Sequence, residues 1–485
     1  MHIVDLSIFI VYVLAMLGVG VYFLRKNSNT EDYYVGGRSM GSWHVGLSVV
    51  ATDVGGGFSI GLGGLGFVMG IAGSWMLLTG LIGAWLSAVL LIPRVSTLSK
   101  TLNLLTFPQV FRHYYGREAA LAAGLISAIG YLGFTSSQIL AGAKLAAASF
   151  DGLNLNTALI AMGAIAVVYT VMGGLKAVIY TDTVQWIVLM SGLIFIGIPV
   201  AYNAVGGYEA IRATLAPEFL SMGNITWQMA VNWAATIIPI WFVGMTLYQR
   251  IYACRGRKEA QKAWFIAGLF EWPVMAFMGV LLGLLARVAV ENGMFAAMGY
   301  GGAEGLDAEM GLPMLLKHVL PIGLMGLMMS AYFSAIMSTA DSCLMAASGN
   351  IVTDLMETLV PSMKWLRTHP LRVSQIVTLA VGAAALLLAT MMQNVLELML
   401  YSYAFMVSGL LVPVVGALFW RRSSQTAALW AMLLGGGTTL TLIAADASLP
   451  LGLDANIFGI AASALSFVVL TWLFPRTREL QQISP

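Results

Sequence analysis

From Ile3 to Phe474 the chain is a succession of apolar runs, each about 20 residues or longer, divided by short polar breaks. A run of that length crosses the roughly 30 Å hydrocarbon core of a bilayer as a helix. Within that core each backbone N–H and C=O must be satisfied inside its own segment, so the runs dictate α-helices. Composition agrees: 59% of residues are hydrophobic and 9% charged, against about a quarter charged in a soluble domain. The expected fold is therefore an all-α polytopic membrane protein of 13 transmembrane helices, at 3–24, 42–69, 72–93, 118–148, 155–173, 178–203, 227–248, 263–289, 319–347, 371–392, 395–420, 425–445 and 456–474. No long soluble insertion interrupts them. The first run has no basic leader and no small-residue cleavage site before Arg25 and Lys26, so it reads as a retained span. Cys254 and Cys343 are two isolated thiols rather than a disulfide framework.

Charge placement orients the bundle. With the N-terminus outside, inner loops collect 20 of the 24 Lys and Arg residues, including Arg25, Lys26, Arg94, Arg250, Arg257 and Arg421. Lys144, Arg212, Arg287 and Lys317 fall on the other face. The positive-inside rule then places the N-terminus outside and the C-terminus in the cytoplasm, in a bacterial-type inner membrane.

Two spans look broken. The second reads "SVVATDVGGGFSIGLGGLG", with Asp53 just before Gly55, Gly56 and Gly57; the seventh carries Pro239 and Gly244 at mid-membrane. Interrupted helices at matching positions of two halves point to a transporter's binding site. They lie five spans apart, which implies a five-plus-five inverted repeat. The division is a first helix in 1–26, repeats at 42–203 and 227–422, and two further helices with a tail in 423–485. "GLGGLG", Gly61 to Gly66, reads instead as a surface for close helix packing.

Four acids fall at bilayer depth: Asp53, Asp182, Glu271 and Asp341. Each is expensive there and therefore a candidate for function. Around Asp341, the residues Ala335, Ser338, Thr339 and Ser342 fall at i, i+3, i+4 and i+7 on one helix face. Clustered hydroxyls beside a carboxylate suit an alkali cation, and carbonyls of an unwound turn could complete its shell.

The segments "DYYVGGRSMG", "ATDVGGGFSIG", "YTVMGGLKAVIYTDTVQ", "YQR" and "AIMSTADS" together resemble the sodium/solute symporter family, over nearly the whole chain. That resemblance implies the five-plus-five fold and a principal sodium site built from carbonyls of Ala51, Val54 and Ala335 and hydroxyls of Ser338 and Thr339. It also implies a second cation site in some members, here Asp182, Ser338, Ser342 and Asp341, so one or two Na⁺ ions are expected. The solute pocket of that fold would draw on Asp53, Phe58, Ser59, Ser136, Ser137, Gln138, Trp241, Tyr401 and Tyr403. No arginine projects from that lining.

The expected activity is sodium-coupled symport of a small organic solute, amino-acid-like, sugar or similar, by a monomer in a lipid bilayer. The partners are solute, sodium and lipid, with no nucleic acid. A proton-coupled symporter is the alternative, because Asp53, Asp182 and Asp341 could form a relay; a sensor without transport is the second. An enzyme is not expected: the five histidines make no HExxH pair and no P-loop is present.

Overall fold

A computed structural model describes residues 2–24, 30–150 and 152–475, apart from the side chains at 20, 23, 24, 30, 32, 54, 57–59, 172–174, 176, 177 and 367. The described residues are helices and connecting turns, with one isolated bridge between Met40 and Cys254.

The long helices are α1 (Ile3–Leu24), α2 (Ser42–Met69), α3 (Trp75–Leu90), α4 (Arg117–Ser149) and α5 (Leu155–Gly192). α5 continues through the wide turn Leu193–Gly197 into α6 (Ile198–Ala204). Then follow α7 (Trp227–Val243), α8 (Met245–Ala253), α9 (Arg257–Leu269), α10 (Ala276–Glu291), α11 (Ala308–Val319) and α12 (Leu324–Gly349). The last four are α13 (Pro370–Ala389), α14 (Val395–Phe419), α15 (Gln425–Ala444) and α16 (Ala455–Leu473). Most boundaries lie within a turn of those expected.

The expected count of 13 spans is not confirmed. Among the described residues, eight helices are long and apolar enough to cross a membrane, or nine when the bent pair α7 and α8 is taken as one. The physical reasons are local. Ile3–Val19 and Leu155–Val171 are apolar but fall among the shorter helices, whereas Val178–Ala204 is long enough by itself. The end of α2 runs through the turn Gly70–Ser74 into α3, so that Ile60–Leu90 counts as one span. α12 fails on apolarity, since Ser, Thr and Asp dilute it, yet every residue from Met328 to Asn350 is buried. A helix enclosed by α1, α2, α4, α5 and α13 meets no lipid and has no need of a greasy surface.

Both expected breaks are present. In α2 the helix is interrupted at Gly55, with φ 26° and ψ −156°. Between α7 and α8, Gly244 is extended and the two pieces bend by 42°. A third break was not anticipated, although "FEWP" carried its signal: Trp272 has extended φ and ψ between α9 and α10, just after Glu271.

Glycine sets the closest approaches. A Cβ on Gly283 of α10 would lie 1.9 Å from the carbonyl oxygen of Gly63, and one on Gly66 would lie 2.1 Å from that of Val280. The "GLGGLG" run is thus the seam at which α2 and α10 touch backbone to backbone, as close-packed membrane helices require. Large apolar side chains remain exposed on the rim, among them Ile3, Val11 and Leu14 on α1 and Leu465 and Trp472 on α16. In a bilayer these face lipid.

Candidate functional site

The break in α2 lies against α12 and α4. A Cβ on Gly55 would stand 2.3 Å from Thr339 Oγ1 and 2.8 Å from Gln138 Oε1, and the next residue's amide, Gly56 N–H, donates to that same Gln138 oxygen at 2.7 Å. Only glycine serves at this position, for want of room and because its φ lies in the region L residues avoid. Thr339 Oγ1 donates to the carbonyl of Ala51 across the seam at 3.0 Å and approaches the carbonyl of Ala335, one turn back on α12, at 3.3 Å. Ser338 Oγ is buried beside it and has no hydrogen-bond partner among the described residues. The structure therefore brings Ala51, Ala335, Ser338 and Thr339 together; Val54, Phe58 and Ser59 lie outside the described side chains.

One turn further along, a second polar cluster surrounds an arginine. Arg250 had been counted among the inner-loop cations, but it is wholly buried on α8. Its Nε donates to Ser48 Oγ at 3.0 Å; Nη2 donates to Thr52 Oγ1, to Ser342 Oγ at 2.9 Å and to Asp182 Oδ2 at 3.3 Å. Ser48 also donates to Asp182. The guanidinium thus stands among Asp182 and Ser342, two of the four residues expected around a second cation. Asp341, a third, accepts from Thr170 on α5 and leaves Oδ2 without a partner among the described residues. What hid Arg250 is its position: the bend after Gly244 turns α8 back into the bundle, and only tertiary placement distinguishes that from a loop.

Of the expected solute-pocket residues, Asp53, Gln138, Trp241 and Tyr403 are buried around the breaks. Tyr403 Oη, on α14, donates to Asp53 Oδ1 at 3.4 Å, and its ring meets Phe134 edge-on at 5.0 Å. Trp241 closes against α3, where a Cβ on Gly83 would come within 2.4 Å of its Cδ1, and meets Trp264 edge-on at 6.3 Å. Ser136 and Ser137 instead donate to the carbonyls of Leu132 and Phe134 on their own helix, each at 2.8 Å, the usual resort of a hydroxyl in a membrane helix. Tyr401 donates to Glu397 at 2.6 Å and lines a separate cavity of about 580 Å³ with Gly61, Asp307, Glu309 and Asp454. At this end of the bundle Lys144, placed outside from the sequence, is buried and bonds Asp307 at 2.6 Å and Glu309 at 2.7 Å. Glu309 also accepts from the first amides of α14, Val395 and Leu396, both at 2.9 Å, so one carboxylate ties α4, α11 and α14.

Glu271 is the fourth intramembrane acid, which the sequence places in neither the expected cation sites nor the solute pocket. It is fully buried, and its carboxyl lies within hydrogen-bonding reach of Asp53. A Cβ on Gly80 would be 2.0 Å from Glu271 Oε2. Gly80 and Gly83 sit at i and i+3 on α3, so one small-residue face receives both Glu271 and Trp241.

Comparison with known proteins gives this arrangement a context. The sequence model of the sodium:solute symporter family matches residues 33–435. The high-affinity proline transporter PutP of Bacillus subtilis is 30% identical over 463 residues, 93% of this chain and 94% of that protein. The sodium/pantothenate symporter of Escherichia coli is 25% identical over 471 residues, 95% of this chain and 94% of that protein. Among solved structures, a substrate-bound, outward-open Na⁺-coupled sialic acid symporter superposes with a TM-score of 0.79 at 20% identity, covering 98% of this chain and 99% of that one.

Proposed function

Since the chain belongs to the sodium:solute symporter family, and is a sodium-coupled membrane symporter rather than an enzyme, we propose that it imports a small neutral or zwitterionic organic solute by alternating access, with one sodium ion bound where the break of α2 meets α12. The observation that carries this reading is Thr339. Its hydroxyl lies between the carbonyls of Ala51 and Ala335, with the unpartnered Ser338 hydroxyl beside it. Replacing the Thr339–Ala51 hydrogen bond by a shared cation would use the same neutral oxygens and need no proton step. Val54 contributes a fifth oxygen from its backbone.

Arg250 favours one ion over two. Asp182 and Ser342 already share a fixed positive charge, and a sodium ion added among the same oxygens would meet like-charge repulsion in a medium that screens it poorly. Asp341 lies to one side of this cluster, where it accepts a hydrogen bond from Thr170.

The two broken helices belong to the two halves of a five-plus-five inverted repeat, 42–203 and 227–422. Sodium bound at the seam between α2 and α12 holds the halves in register and shapes the solute pocket formed by Asp53, Gln138, Trp241 and Tyr403. The protein works as a monomer in the cytoplasmic membrane, N-terminus outside. Uptake of radiolabelled amino acids and sugars into proteoliposomes, under an imposed sodium gradient or an imposed proton gradient, tests the reading. Accumulation with the sodium gradient alone supports it; accumulation with the proton gradient in sodium-free buffer refutes it.

A further inference from the structure

Near the face of the bundle that carries Arg94, Arg421 and Arg422, α14 and α16 leave a groove of about 370 Å³ between them. Its lining is wholly apolar: Val412, Val415 and Phe419 from α14, Trp420 just beyond it, and Ala464 and Val468 from α16 among them. Packing creates the recess. A Cβ on Gly416 would stand 2.2 Å from Phe467 Cζ and 2.9 Å from Tyr115 Oη, so the Phe467 ring lies back in space that a side chain would take, and it is buried. Trp420 meets that ring edge-on at 5.7 Å. Val415, Phe419 and Val468 stay exposed on the walls.

The groove has the depth of one leaflet. From Leu411 to Trp420 its wall runs about 14 Å at 1.5 Å per residue, against roughly 15 Å for half of the hydrocarbon core. Trp420 and the exposed Trp472 mark the interface level at its end. The mouth at that level is cationic. Arg94 lays its guanidinium over the Phe419 ring, 4.1 Å from the centroid, and donates from Nη1 to the carbonyl of Leu90 at 3.1 Å. Arg421 and Arg422 follow Trp420 directly and are exposed. No ion pair among the described residues includes any of the three. The acid tied to this corner is Glu118, which accepts from Gln425 at 3.4 Å.

We propose that this groove binds one anionic phospholipid, with an acyl chain against Val412, Val415 and Val468 and the phosphate held by Arg94, Arg421 and Arg422. An apolar slot buries hydrocarbon, and guanidinium groups at the headgroup level offer paired N–H donors to phosphate. The orientation proposed above makes it a lipid of the cytoplasmic leaflet. A second copy of the chain is the poorer occupant, because a symmetric contact through this groove would set each copy's arginines against their counterparts. The lipid rests on the half of α14 beyond Tyr403, the residue that bonds Asp53.

Native mass spectrometry of the delipidated full-length protein tests this. The probe is palmitoyl-oleoyl phosphatidylglycerol; the control is palmitoyl-oleoyl phosphatidylcholine, with the same tails on a zwitterionic head. The wild type should retain one phosphatidylglycerol at least tenfold more tightly than phosphatidylcholine. Arg421→Gln/Arg422→Gln alters two exposed side chains, so its melting temperature without lipid should match the wild type while the preference falls toward equality. Arg421→Lys/Arg422→Lys should keep most of the preference. Ala464→Trp fills the groove and should weaken phosphatidylglycerol at least tenfold. Glycerol phosphate, which has the charge without the tails, should not compete. The proposal is overturned if the two lipids bind the wild type alike, if the glutamine variant keeps the full preference, if Ala464→Trp binds as the wild type does, if glycerol phosphate displaces the lipid, or if light scattering shows a dimer that Ala464→Trp breaks apart.

Discussion

Gly55 and Thr339 are separated by most of the chain, yet a methyl group on the glycine would come within 2.3 Å of the threonine hydroxyl. The break in α2 and the hydroxyl face of α12 are thus complementary surfaces: one lacks a side chain where the other presents an oxygen. Gly55→Ala should therefore damage the site and the fold together. Backbone strain and overpacking each cost about 1–3 kcal/mol, and a lowered melting temperature in detergent, with loss of sodium-dependent stabilisation, is the expected result.

The two hydroxyls of the proposed sodium site should separate by chemistry. Thr339→Ser keeps the oxygen and should need sodium in nearly the wild-type range. Ser338→Ala and Thr339→Ala each remove one neutral ligand, and the sodium concentration for half-maximal uptake should rise by roughly tenfold, the effect of about 1.4 kcal/mol. Unchanged sodium dependence in both alanine variants would remove these residues from the site.

Arg250 and Asp182 should behave as a coupled pair. Removing one partner of a buried ion pair leaves an uncompensated charge and costs about 3–5 kcal/mol. Arg250→Met and Asp182→Asn should each lower the melting temperature, and the double variant should lose much less than the two single losses combined. Strict additivity would show that the guanidinium does not serve the carboxylate.

Packing at the α2–α10 seam gives a prediction independent of function. Gly283→Ala forces a methyl toward the carbonyl of Gly63, whereas a Cβ on Gly437, exposed on α15, meets nothing within 4 Å. The first substitution should destabilise by at least about 1–3 kcal/mol; the second should be neutral or slightly stabilising, because alanine is the better helix former. Melting curves of the two variants decide it.

Features that depend on local chemistry were legible in the sequence. Gly55 beside Asp53, and Pro239 with Gly244, marked the two breaks because both residue types act on their own backbone. The period of Ala335, Ser338, Thr339 and Ser342 gave the face that meets α2. Features that depend on which helix lies opposite were not legible. Ser136 and Ser137 have the right residue type, but their hydroxyls turn back on α4; Tyr401, two residues from the buried Tyr403, lines a cavity with Asp307 and Glu309 instead. Arg250 looked like a loop cation until the bend at Gly244 carried it inward. Glu271 was visible as a buried acid, while its partner Asp53 comes from a helix 218 positions earlier, a pairing that no local pattern encodes.

Equilibrium binding of radiotracer sodium to the purified protein, counted per molecule, tests the central claim most directly. The account predicts close to one ion per wild-type protein, displaced by unlabelled sodium and not by potassium, with binding lost in the Ser338→Ala/Thr339→Ala double variant. Two ions per wild-type protein, or undiminished binding in the double variant, would contradict it.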